Sequence, residues 1–200
     1  MAPLSDVIHL SEPQLPETSV RAPRRTYIIY YVPGNPGLIE YYRIFMTHLY
    51  GLLRSQHPEC DFEIYGRSLP GFEVGQSQTA MPRRDGQPGE DETGPPYNVN
   101  QEIEFTKSEI KQVVGSARAK GKRDVRVILI GHSLGTYITM ETIRRLREEA
   151  KESPASEERV RVVGGVLLFA TVMDLAKSPS GLGKGVSTQA RHYVDMADRG

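Results

Sequence analysis

The sequence predicts an α/β fold, a mostly parallel sheet with helices on both faces as a three-layer sandwich. Runs of β-branched and aromatic residues alternate along the chain with stretches of helical period. Two of these runs, Thr26–Val32 and Val125–Ile130, are almost continuously apolar, as strands buried on both faces must be. The second run passes through Gly131-His132-Ser133-Leu134-Gly135 directly into a helix-compatible segment, the strand, sharp turn and helix of a nucleophile elbow.

Taken in order, residues 1–25 read as a polar arm punctuated by Pro3, Pro13, Pro16 and Pro23, with Val7–Leu10 as a short edge strand. Residues 26–200 read as one α/β domain. Thr26–Val32 is its first buried strand and ends in the rigid turn Pro33-Gly34-Asn35-Pro36-Gly37. Leu38, Tyr42, Phe45, Leu49 and Leu52 then recur at helical spacing, which predicts an amphipathic helix over about Ile39–Ser55. Phe62–Tyr65 is a second short strand. From Glu73 to Val99 periodicity disappears into Pro, Gly, Gln and charge, which predicts a mobile insertion, either a lid over a site or an idle surface loop. Asn100 is the expected N-cap of a helix carrying Ile103, Ile110, Val113, Val114 and Ala117 and stopping near Gly121. After the elbow a helix runs to about Lys151, with Met140, Ile143, Leu146 and Ala150 on its expected buried face. Val160–Phe169 is the last strand, and no strong period follows it. A sheet ending there leaves an apolar edge and face exposed.

Composition narrows the partners. Twenty-five basic residues balance twenty-five acidic ones, so charge offers no case for nucleic acid or an anionic membrane surface. Cys60 is the single cysteine, which rules out an internal disulfide and favours an intracellular home. No apolar run reaches the length of a membrane span, and no signal-peptide core is seen at the N-terminus. Neither an H-x-x-x-H pair nor a carboxylate–histidine cluster calls for a metal, and Pro33–Gly37 lacks the Gly-Lys-Ser/Thr ending of a phosphate loop. No cofactor is expected.

Ser133 is the candidate nucleophile. A serine hydroxyl attacks only when a base removes its proton, and the helix that follows favours negative charge nearby. The plainer alternative is a serine that caps a helix after a glycine turn. An oxyanion hole needs two backbone N–H groups aimed at one point. Leu134, next after the nucleophile, supplies one. The Pro33–Gly37 turn is the candidate for the other, with Asn35 as first choice and Gly37 second, unless it is simply a tight turn. His132 is expected to pack or hydrogen-bond, facing away from the nucleophile oxygen, and His9, His48 and His57 to be solvated. A triad acid and base should follow Ser133 in that order. Asp174 and His192 do so, but only 18 residues separate them, with no convincing strand between. The acid and base are therefore expected beyond Gly200, or to have been lost.

Three blocks, Tyr31–Tyr42 (YVPGNPGLIEYY), Gly131–Tyr137 (GHSLGTY) and Leu168–Gly181 (LFATVMDLAKSPSG), resemble the lipid-droplet-associated serine hydrolases, a family of α/β-hydrolases. The resemblance implies an α/β-hydrolase fold, incomplete here at its C-terminal end, and Ser133 as nucleophile with the Pro33–Gly37 loop at the oxyanion site. It implies hydrolysis of lipid esters of cholesteryl-ester or acylglycerol type at the cytoplasmic side of lipid droplets, with the endoplasmic reticulum as a second location. Family members continue through a cap to the triad Asp and His, and this chain shows neither in a matching position. Two functions of different classes follow: a serine ester hydrolase acting through an acyl-enzyme, or a catalytically inactive droplet-associated binding or structural protein. Acyl transfer to an alcohol is a third.

Overall fold

A computed structural model describes residues 5–12, 24–74, 97–153 and 159–170. Its strands are β1 (Val7–Leu10), β2 (Arg25–Val32), β3 (Cys60–Arg67), β4 (Val125–His132) and β5 (Val162–Leu168). They form one sheet in the order β1-β3-β2-β4-β5. Only β1 runs antiparallel; β3, β2, β4 and β5 are parallel to one another. A one-turn 3-10 helix at Ile39–Tyr42 leads into α1 (Arg43–Gln56), and α2 (Val99–Ala119) and α3 (Leu134–Glu152) complete the element set.

Alternation along the strands sends neighbouring side chains to opposite faces, and two cores result. Ile28, Tyr30 and Val32 of β2 join Val127 and Leu129 of β4 against Ile103, Ile110 and Val114 of α2 and Ile138 and Leu146 of α3. Ile29 and Tyr31 join Ile64 of β3 and Ile130 of β4 against Ile39 and Met46. With α1 on one face and α2 and α3 on the other, the three-layer α/β sandwich is the architecture observed.

Several boundaries differ from the sequence reading. β3 and β4 run on to Arg67 and His132, because backbone pairing continues where the apolar run stops, with β1 at Arg67 and with β5 at His132. Arg43, not Ile39, begins the α-helix proper. Asn98 rather than Asn100 caps α2, in a reciprocal box: its side chain accepts from the Gln101 N–H at 2.9 Å and its own N–H donates to Gln101 Oε1 at 2.8 Å. On α3 the buried stripe is Gly135, Ile138, Thr139, Thr142 and Leu146, while Met140 is 38% exposed. Leu146 is buried and Ile143 packs against the core as expected, while the buried threonines, which look polar in a sequence, extend the stripe beyond the expected face. The predicted insertion lies almost wholly outside the described residues, as do Asp174 and His192.

His9 is exposed, as expected, but it also has a partner. It lies in β1, and its Nε2 is 2.8 Å from Glu63 Oε2, while Lys122 Nζ donates to the other oxygen of the same buried carboxylate. Burial pushes the Glu63 carboxyl up, but the hydrogen bonds from His9 and Lys122 outweigh it and hold the group at about 2. A carboxyl depressed from 4.5 to about 2 contributes stability that is present above its unfolded pKa and lost as pH falls through the folded one. Urea titrations at pH 7 and pH 2 are expected to differ by about 2–3 kcal/mol from this group. Glu63→Gln should flatten that part of the profile.

Candidate active site

The loops after β2, β3, β4 and β5 meet at the carboxyl ends of the parallel strands, where α/β sheets place their ligand sites. Ser133 stands between β4 and α3 at φ 50° and ψ −122°. That backbone is costly for any residue with a Cβ, on the order of 1–3 kcal/mol, and persists only where the surroundings impose it. Two strand ends and a helix impose it here. The Ser133 N–H donates to the Leu168 carbonyl of β5 at 3.0 Å. Its carbonyl accepts from both the N–H (2.9 Å) and the Oγ1 (2.6 Å) of Thr136. The serine side chain itself makes no capping hydrogen bond to α3, so the helix-cap alternative does not describe this geometry.

The flanking glycines are required by space. A Cβ on Gly131 would lie 2.5 Å from both the Gly135 carbonyl oxygen and Thr139 Oγ1. One on Gly135 would strike the Val32 carbonyl oxygen and lie 2.6 Å from that of Pro33. The elbow is thus packed backbone to backbone against the end of β2, and its five-residue glycine spacing reflects that contact.

The β2 loop lies directly over Ser133. A Cβ on Gly34 would approach the His132 carbonyl oxygen to 2.6 Å and Ser133 Cβ to 2.8 Å. Within this turn Gly37 N–H donates to the Gly34 carbonyl at 2.6 Å, and Gly34 N–H donates to the Tyr42 hydroxyl at 3.2 Å. Pro33 and Pro36 have no N–H. Asn35, exposed at the tip, is left as the amide with no hydrogen-bond acceptor among the described residues. Leu134 opens α3, where first-turn N–H groups find no carbonyl four residues back in the helix. Gly37 in turn is held to the β3 loop, since its carbonyl accepts from Leu69 N–H at 2.8 Å and its Cα packs against Phe72.

His132 behaves as its place in the elbow predicts. Its Nδ1 lies 2.9 Å from the Tyr42 hydroxyl, and Phe169, 85% exposed, sets its ring edge-on to the imidazole at 5.7 Å. Burial raises the Tyr42 phenol above its ordinary value against the lowering effect of the Gly34 N–H, so it stays protonated at neutral pH. Tyr42 is the residue that sequence reasoning missed: at helical spacing it looked like one more apolar contact of α1. Among the described residues no group of three metal-ligating side chains comes together.

The Lipid-droplet associated hydrolase of Gallus gallus is 31% identical over 167 residues, which covers 82% of this chain and 42% of that protein. Its namesake in Homo sapiens is 25% identical over 179 residues, covering 90% of this chain and 45% of that one. The chain therefore spans less than half the length of these relatives. Among solved structures, the crystal structure of esterase B from Lactobacillus rhamnosis superposes with a TM-score of 0.52 at 13% identity, covering 98% of this chain and 57% of that one. At that identity the likeness shows a shared α/β-hydrolase fold. The sequence profile described as Lipid-droplet associated hydrolase matches residues 25–195. That span takes in β2 to β5 and both loops that meet at Ser133, so the chain belongs to the Lipid-droplet associated hydrolase family.

Proposed function

We propose that this chain carries the nucleophile and the oxyanion site of a serine hydrolase acting on lipid esters of cholesteryl-ester or acylglycerol type at the cytoplasmic face of lipid droplets. The observation that carries the proposal is the strained backbone of Ser133 at the end of a parallel strand, a conformation that lifts its Oγ clear of the sheet. In this reading Oγ attacks the ester carbonyl carbon, and the carbonyl oxygen takes up negative charge between the N–H groups of Leu134 and Asn35. Collapse of that intermediate expels the alcohol and leaves the acyl group on Ser133. Water then repeats the attack and frees the fatty acid. The proton leaving Oγ needs a base, which is expected beyond Gly200 or to have been lost; Asp174 and His192, the less favoured pair in chain order, lie outside the described residues.

Release of fatty acid from emulsified trioleoylglycerol and cholesteryl oleate tests the substrate class. The expected result is hydrolysis by the full-length gene product that falls at least a thousandfold in Ser133→Ala. Localisation to droplets with no release from either lipid, in the wild type as in the variant, would instead favour the binding role.

A further inference from the structure

The structure assigns Tyr42 as a positioning residue for the oxyanion site. We infer that its hydroxyl accepts from Gly34 N–H and donates to His132 Nδ1, clamping the β2 loop to the elbow. The inference rests on reading Ser133 as the nucleophile. Both distances, 3.2 Å and 2.9 Å, are hydrogen-bonding ones. Because Gly34 N–H can only donate, the phenol accepts there and has its own proton to give. The acceptor for that proton is His132 Nδ1, which places the imidazole proton on Nε2.

The clamp is placed where it matters. A Cβ on Gly34 would lie 2.8 Å from Ser133 Cβ, and Asn35, the candidate donor, is the next residue along. His132 is the residue before the nucleophile. One phenol oxygen thus joins the two segments whose separation sets the distance from the Asn35 N–H to a substrate oxygen. The ring itself is fixed independently: it packs on Tyr31 at 4.7 Å and on His132 at 5.5 Å between ring centres. Removing the hydroxyl therefore leaves the packing and cuts the loop's side-chain tie to the elbow, while Gly37 stays held to Leu69. An oxyanion donor acts only when aimed at the charge that develops in the transition state, so the loss should appear in kcat and leave KM unchanged.

Turnover of p-nitrophenyl butyrate by the full-length protein tests this, together with the nitrogen NMR signals of the His132 imidazole. Tyr42→Phe is expected to lower kcat about tenfold at unchanged KM, the loss of about one net hydrogen bond. His132→Leu should lose as much, His132→Asn, which keeps an acceptor near Nδ1, should regain most of it, and the double variant Tyr42→Phe/His132→Leu should be no slower than either single one. The imidazole should show an unprotonated Nδ1 whose signal moves in Tyr42→Phe. Unchanged kcat in Tyr42→Phe, additive losses in the double variant, or a proton on Nδ1 would each overturn the assignment. If even the wild type fails to turn over the ester, the nucleophile reading is what has failed, and the Nδ1 signal alone then decides whether the clamp exists.

Discussion

Gly135→Ala is expected to destabilise the fold by about 3 kcal/mol, at the upper end of what overpacking costs. The new methyl would meet the carbonyl oxygens of Val32 and Pro33, and these are backbone atoms at the end of a strand buried between two others. A flexible side chain could move aside; a hydrogen-bonded strand end cannot. The strain would pass into the turn at Ser133, so activity should fall with stability. Gly115→Ala provides the control. Gly115 lies within α2 with open space where its Cβ would be, and alanine there is expected to stabilise by about 0.5–1 kcal/mol through helix propensity. Urea denaturation of the two variants should shift the midpoint in opposite directions. Equal shifts would mean that the close contact of elbow and β2 is not a feature of the folded protein.

Ser133→Gly should separate strain from chemistry. At φ 50° and ψ −122° a glycine has no Cβ to crowd the backbone. Removing the side chain should therefore raise stability by about 1 kcal/mol, within the range stored in such a conformation. In the proposed reading the same change removes the nucleophile and should lower ester turnover at least a thousandfold. Thermal unfolding and a p-nitrophenyl ester assay on one preparation give both numbers. A core serine would show the reverse pattern, a loss of stability with no loss of activity.

Much of this site was legible because its constraints are local. A strand that ends in Gly-x-Ser-x-Gly and enters a helix can hardly be built otherwise, so Ser133, Gly131 and Gly135 could be read from the letters alone. The β2 turn was legible for the same reason: its two prolines and two glycines leave few amides free, and the hydrogen bonds of Gly34 and Gly37 reduce them to Asn35. Tyr42 was not legible, since its role depends on a residue 90 positions away that only the β2–β4 pairing brings near. Glu63 and His9 were hidden in the same way, paired across the β1–β3 edge. Part of the α3 stripe was hidden because Thr139 and Thr142 are buried although polar, and Thr139 packs against Gly131 of the elbow.

Whether Ser133 is an activated nucleophile is read directly by peptide mapping after reaction with a fluorophosphonate probe. The probe phosphonylates a serine only when its proton is being removed. A single adduct is expected on the tryptic peptide containing Ser133 in the full-length protein, absent after Ser133→Ala. An adduct on another residue that survives Ser133→Ala, or no adduct in a folded full-length protein, would contradict it.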